Sequence, residues 1–242
     1  MYPFSTAVNS GQYIPVWRNE DFTLDVDGIE QAVAARSAKI LILCSPNNPD
    51  GSVIDDDTLR RLLQLPVLVL LDEAYADFAE YDGCHSHLDW VTEYDNLAVL
   101  RTFSKLAGLA GLRVGYGAFP AWLLPHMWKI KQPYNINVAA NLAALASLAD
   151  KAWLDEKMQA LVAERQRLDR ELALIPWLQP YPSQSNFILC RVLDRDAKQL
   201  KRDLEQAGIL VRYFNKPGLD NCIRISAGRP EDTNRLLAAL KR

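Results

Sequence analysis

The chain has 242 residues, 49% of them hydrophobic and 24% charged, which is an ordinary composition for a globular protein with a sizeable core. Its 27 basic and 30 acidic residues leave a formal net charge of −3, which argues against nucleic acid or an anionic membrane surface as the main partner. No stretch approaches the ~20 apolar residues of a membrane span. No signal peptide is expected at the start, and four widely spaced cysteines without a C-x-x-C motif indicate reduced thiols in the cytoplasm.

Short apolar runs alternate with polar segments along the first 150 residues. The runs predict strands at 13–17, 39–44, 67–71, 97–100 and 114–119. Amphipathic or capped segments predict helices at 27–36, 55–65 and 121–131, and the Ala- and Leu-rich segment 138–149 predicts a buried helix. Residues 1–12 show neither a helix cap nor a strand pattern, and 77–93 are predicted to form a polar loop.

The remaining third of the chain has a different pattern. A long amphipathic helix at 151–174 precedes short strands at 186–191, 209–213 and 222–225, with helices at 197–206 and 231–241. We therefore predict an α/β fold with a mostly parallel sheet and flanking helices over 1–150, followed by a linking helix and a small α+β domain over 151–242.

Polar residues follow three of the predicted parallel strands. Ligands of such sheets bind outside the carboxyl ends of the strands. Here those ends carry Asn48, Asp72 and the pair Ser104-Lys105. A ligand site is predicted at this edge.

Lys105 is the candidate nucleophile. It follows a predicted strand in Gly- and Ala-rich surroundings, with Arg113 eight residues further on. A poorly hydrated amine beside a cation suits chemistry with a carbonyl or with pyridoxal phosphate (PLP). The alternative is a solvated loop lysine.

Asp72 and its neighbours fit the same chemistry. In a PLP enzyme an acid keeps the pyridine nitrogen protonated, so that the ring accepts electrons. The amide of Asn48 and the hydroxyl of Tyr75 are candidates for contacts with the ring oxygen, and Ser104 and Arg113 for the cofactor phosphate. Taken singly, Asp72 could equally be a generic loop acid. Asn48 on its own is most simply a turn residue. The chain lacks the G-x-x-x-x-G-K-[ST] and G-x-G-x-x-G motifs of nucleotide-binding folds.

For two further groups of residues, the sequence fits a structural role as well as a functional one. Arg212 and Arg224 lie within apolar strand segments, where an arginine needs an anion, an ion pair or a route to solvent. Cys84, His85, His87 and Asp89 match no recognised zinc spacing, so we predict a polar surface loop and no metal.

The ordered set of motifs closely resembles histidinol-phosphate aminotransferases, which are fold-type I PLP enzymes. The segments are SPNNPDG, LLDEAYADF, RTFSKLAGLAGLRVGYG, YPSQSNFIL and CIRISAG, together with the opening MYP and the PYNIN at 133–137. The resemblance covers essentially the whole chain.

The resemblance implies roles for eight residues. Lys105 would bind PLP covalently, Asp72 would pair with the pyridine nitrogen, and Asn48 and Tyr75 would contact the ring oxygen. Ser104 and Arg113 would bind the cofactor phosphate. Arg224, assisted by Arg212, would take the glutamate carboxylate or the substrate phosphate.

The implied activity is amino transfer between L-histidinol phosphate and 2-oxoglutarate in histidine biosynthesis, by a cytoplasmic homodimer. Alternatives are a related aminotransferase, a phospho-amino-acid decarboxylase of the same fold, or a truncated, non-catalytic remnant. Family members are longer at the N-terminus by about a hundred residues. We therefore expect uncovered apolar surface and weak PLP affinity for this chain alone.

Overall fold

Two four-stranded sheets organise the chain, which a computed structural model describes over residues 1–81, 83–134 and 136–241. The first sheet has the order β1-β2-β3-β4. Its strands are β1 (Ile40–Cys44), β2 (Leu68–Asp72), β3 (Leu97–Thr102) and β4 (Gly115–Ala118). The first three are parallel and β4 runs antiparallel to β3. The predicted α/β fold with a mostly parallel sheet is confirmed.

The main core lies against one face of this sheet. Helices α2 (Val26–Arg36) and α3 (Asp56–Leu62) cover it, with Leu59 and Leu62 of α3 completely buried. Strand β2 lies between β1 and β3, which explains its continuous apolar sequence.

The second sheet is antiparallel, with the order β5-β6-β8-β7. Its strands are β5 (Leu178–Pro180), β6 (Phe187–Val192), β7 (Arg212–Tyr213) and β8 (Cys222–Ser226). The strand predicted at 209–213 is therefore only two residues long. Helices α8 (Ala197–Gln206) and α9 (Pro230–Leu240) pack against this sheet around a core of their own.

A long helix, α7 (Lys151–Ala173), contacts both parts of the molecule. It packs against β5 and β6 and also against α4 (Ala76–Tyr81), which follows β2. Val162 of α7 joins Tyr75, Phe78 and Phe187 in a small shared core. The division into domains near residue 150 stays a prediction.

Three segments differ from the sequence-based predictions. Residues 2–8 form helix α1 (Tyr2–Val8), with Pro3 in its first turn and no side-chain cap. The predicted polar loop at 77–93 contains most of α4 and a 3-10 helix at Asp89–Thr92, because Phe78 and Trp90 are core residues. Within the described residues, no strand forms at 13–17.

The prediction of a buried helix at 138–149 is wrong. After α5 (Leu124–Ile130), helix α6 (Val138–Ala149) forms as expected. Only Ala140 and Ala144 are buried, and Leu142, Leu145 and Leu148 are each more than half exposed. The described residues cover one side of α6, where Ala140 and Ala144 pack against Val114 and the loop between β3 and β4. Asn135, part of the break predicted between these helices, lies outside the described residues.

Among the described residues, no helix combines the length and the apolar character that crossing a bilayer requires.

Candidate active site

The parallel register brings the predicted site residues to one edge of the first sheet. Asp72 ends β2, opposite Cys44 of β1 and Leu100 of β3. Asn48 follows the end of β1, and Lys105 follows the end of β3. Because parallel strands end on the same side of a sheet, the three polar groups share one edge.

Asp72 is fixed by two hydrogen bonds. The backbone N–H of Ala74 donates to Oδ1 at 3.0 Å, and the hydroxyl of Tyr2 donates to Oδ2. Burial and the neighbouring carboxylate raise the pKa of Tyr2, so the phenol keeps its proton and acts as the donor. Sequence reasoning assigned no role to Tyr2, although it lies in the MYP segment that carries part of the resemblance.

Lys105 lies against Tyr75. The Nζ atom is 4.9 Å from the centroid of the Tyr75 ring, a cation–π contact. The predicted shielding of Lys105 from water is wrong, because the side chain is exposed on the loop that follows β3.

Tyr75 connects this edge to the second sheet. Its ring meets Phe187 of β6 edge to face, with centroids 5.1 Å apart. The guanidinium of Arg224, on β8, lies 4.6 Å from the Phe187 ring centroid, and its Nη1 donates to Oδ1 of Asn48 at 2.5 Å. Asn48 and Arg224 thus meet, and the Nδ2 group of Asn48 remains available as a donor.

Arg224 has the properties of an anion-binding group. Its Nε is buried, with no hydrogen-bond partner among the described residues. Burial lowers the pKa of Arg224, and Arg212 lowers it further, while Tyr75 acts in the opposite direction. Arg212 lies directly opposite Arg224 in the β7–β8 ladder, so both cations project from one face of the second sheet. A bound anion would satisfy the orphaned N–H and offset the repulsion between the two arginines.

Ser104 and Arg113 lie on the loop between β3 and β4. The Ser104 N–H donates to Oγ1 of Thr102 at 3.0 Å, and a 3-10 helix at Ala110–Leu112 ends the loop. Arg113 has a left-handed backbone (φ 57°), and its exposed side chain donates to the Ala110 carbonyl at 2.8 Å. The loop places both residues beside the strand ends without bringing them into contact with Asp72 or Asn48 among the described residues.

One histidine of the predicted polar loop, His87, differs from expectation, whereas His85 is exposed as predicted. His87 is buried rather than solvated, because it packs edge to face on Trp90 and contacts Glu73. Both His85 and His87 approach Asp56 of α3, whereas Asp89 begins the 3-10 helix.

Comparison with known proteins agrees with this geometry. The family model "Aminotransferase class I and II" matches residues 8–240. The chain is 52% identical, over its whole length, to the chloroplastic histidinol-phosphate aminotransferase of Nicotiana plumbaginifolia, of which it covers 58%. It is 49% identical to the histidinol-phosphate aminotransferase of Roseiflexus castenholzii, of which it covers 65%.

A solved structure shares the fold. The histidinol-phosphate aminotransferase of Sinorhizobium meliloti in complex with pyridoxal-5'-phosphate superposes with a TM-score of 0.88 at 30% identity, covering 99% of this chain and 66% of that one. The chain thus spans less than two thirds of the length of these curated relatives.

Proposed function

Because the chain belongs to the aminotransferase class I and II family, we propose that it supplies the lysine-bearing part of a PLP-dependent aminotransferase acting on L-histidinol phosphate and 2-oxoglutarate. The observation that carries this proposal is the position of three groups at one edge of the first sheet: Asp72, the Lys105–Tyr75 pair and the Asn48–Arg224 pair. The resemblance to histidinol-phosphate aminotransferases along the full chain supports the choice of substrate.

The residues present fit PLP. Asp72 offers an oriented carboxylate for a pyridinium N–H, Lys105 offers an accessible primary amine, and Asn48 retains a free amide donor. Tyr75 would share the ring oxygen with Asn48, and Ser104 and Arg113 would take the phosphate. When bound, the cofactor takes up the electron pair left when a bond to the amino-acid carbon breaks.

The side chains then have separate tasks. Lys105 would hold the cofactor through Nζ, and its free amine would move the proton of the substrate's Cα carbon. Asp72 keeps the proton on the pyridine nitrogen, with Tyr2 and the Ala74 N–H holding the carboxylate in place. Arg224, with Arg212 beside it, binds the carboxylate of glutamate or the phosphate of histidinol phosphate.

We also propose a homodimer in a reducing compartment such as the cytoplasm. The apolar side of α6 needs cover that the described residues do not give it, and a second copy would supply it. No disulfide joins the four cysteines, all of which lie in the described ranges.

Cofactor trapping tests the proposal on this chain. The protein is titrated with PLP, reduced with borohydride, and digested to map the modified peptide. We expect the label on Lys105, its loss in Lys105→Ala, and its retention in Lys151→Ala, which removes a largely exposed lysine of α7. Label spread over surface lysines, or none at saturating PLP, would refute the site.

The substrate is tested on the PLP-loaded protein. We expect histidinol phosphate to change the cofactor absorbance at lower concentration than phenylalanine or threonine phosphate. An absorbance change with phenylalanine at an equal or lower concentration would favour an aromatic aminotransferase. Carbon dioxide release from threonine phosphate would favour a decarboxylase.

A further inference from the structure

A second group of polar side chains lies apart from the proposed cofactor site. Asp56, His85 and His87, which we call the Asp–His cluster, each offer a ligand atom, and these atoms lie within 4.8 Å of one another. None of the eight residues assigned to PLP or substrate lines the cavity beside this cluster.

We propose that the Asp–His cluster binds a divalent transition-metal ion, with Zn²⁺ as the reference. Oδ1 of Asp56 lies 3.2 Å from Nε2 of His85 and 3.2 Å from Nε2 of His87. Zinc bonds to imidazole and carboxylate of about 2.0–2.1 Å set tetrahedral ligands roughly 3.4 Å apart. Asp56 is therefore close to coordination spacing from each histidine before any ion enters, and the two imidazole nitrogens lie within 4.8 Å of each other.

The donor set indicates the class of metal. Two imidazoles and one carboxylate suit Zn²⁺ and neighbouring transition metals, whereas Mg²⁺ and Ca²⁺ prefer oxygen ligands throughout. Zinc sites with three protein ligands keep a further position for water. A cavity of about 270 Å³ opens beside the cluster and offers room for that water.

A carboxylate behind His87 strengthens the assignment. Nδ1 of His87 lies 3.5 Å from Oε1 of Glu73, whose side chain is only 2% exposed. Glu73 also accepts from the His87 backbone N–H at 2.8 Å and from the Ser86 hydroxyl, which fixes the segment. Metal-binding histidines characteristically donate their second N–H to such a carboxylate.

Nε2 of His87 and Oδ1 of Asp56 face each other across the cluster at 3.2 Å. A metal ion that replaces the ring proton between them would bind to both atoms. The ion can enter from solvent, because the His85 side chain is 58% exposed and that of Asp56 39%.

Metal binding is tested on the chelator-treated, untagged chain, without PLP. We expect calorimetry to show one saturable Zn²⁺ site and thermal unfolding to shift upward with Zn²⁺ but not with Mg²⁺. Co²⁺ in place of Zn²⁺ should give visible absorption bands of a low-coordinate site. His85→Asn, on an exposed side chain that leaves the core intact, should weaken Zn²⁺ binding by about 100-fold.

The chain contains a matched control. His126→Asn removes the third histidine, which is exposed on α5, and should leave Zn²⁺ binding unchanged. Asp56→Asn should weaken binding as His85→Asn does, with circular dichroism confirming that both variants fold. No saturable binding, or equal affinity in wild type, His85→Asn and Asp56→Asn, would overturn the proposal, and because PLP is absent this result would not bear on the aminotransferase assignment.

Discussion

Arg224 donates a hydrogen bond to Asn48, although 176 residues separate them in the sequence. The bond joins β8 of the second sheet to the loop after β1 of the first. It places a cation of one sheet beside the strand ends of the other, where Asp72 lies. The proposed site therefore depends on how the two sheets are held together, and Phe187, packed between Tyr75 and Arg224, is the main apolar link.

Replacement of Arg224 tests its role toward anions. Arg224→Met keeps an unbranched apolar side chain but removes the donors, so we expect about 10- to 100-fold weaker binding of glutamate to the PLP-loaded chain, the loss typical of a charge-assisted hydrogen bond. Cofactor absorbance during titration measures it. Arg229→Met is the control, because Arg229 is 81% exposed and its ion pair is with Asp232 in the first turn of the following helix. Equal losses in the two variants would contradict the assignment.

Tyr2 supports Asp72, and its hydroxyl can be removed cleanly. In Tyr2→Phe the carboxylate loses one of its two donors and is held less firmly toward the pyridine nitrogen, so we expect about tenfold weaker PLP binding with the fold unchanged. Fluorescence titration with PLP measures this affinity. Tyr13→Phe alters a tyrosine that is 48% exposed and should bind PLP as the wild type does. Unchanged affinity in Tyr2→Phe would show that the Ala74 N–H suffices.

Much of the first sheet could be predicted because its strands have a local signature. A parallel strand such as β2, buried on one face and half-buried on the other, is a continuous apolar run, and the polar residue that ends it marks the ligand edge. The positions of these strand ends alone predict that Asn48, Asp72 and Lys105 lie at the same edge of the sheet. The contacts between them could not, because the Lys105–Tyr75 and Arg224–Asn48 approaches depend on the packing of distant segments.

The wrong predictions have the same physical origin. Helix α1 has no side-chain cap and no strong pattern of its own, and its Tyr2 is bonded to Asp72 seventy positions away. A helix that is apolar all round predicts burial, yet burial of α6 requires a neighbour that the described residues do not include on its exposed side. His87 lies in a polar segment but is buried through Trp90 and Glu73.

The exposed side of α6 should govern self-association. Leu142 and Leu145 are 61% and 56% exposed on the same helix, so the double variant Leu142→Glu/Leu145→Glu should shift the chain toward monomer by introducing charge into an apolar contact. Analytical ultracentrifugation over a range of concentrations measures the shift. Leu174→Glu changes an exposed leucine just after α7 and should leave the distribution unchanged. If the double variant associates as strongly as the wild type, another surface forms the interface.

The ion pair between Glu164 and Arg167 should make the stability of the second sheet and its helices depend on pH. Its carboxylate pairs with Arg167 at 2.7 Å, and Arg167 also donates to Asn234 and to the Pro230 carbonyl, which ties α7 to α9. The hydrogen bond from Arg167, against the opposing effect of burial, lowers the pKa of Glu164 below its ordinary value of 4.5. Because the folded state holds this proton less tightly than the unfolded state, the stabilisation is present above pH 4.5 and is lost as the pH falls through the folded-state pKa.

Glu164→Gln should therefore cost about 1 kcal/mol at neutral pH, and the difference from wild type should shrink in acid. Urea unfolding at a series of pH values, from neutral down to the lowest pH at which the chain still folds, measures the free energy of unfolding of the wild type and of the variant. Glu156→Gln is the matched control on the same helix, since the Glu156 side chain is 68% exposed and pairs with its sequence neighbour Lys157. It should follow the wild-type curve throughout. A Glu164→Gln curve parallel to that of the wild type at all pH values would show that the Arg167 pair contributes no pH-dependent stability.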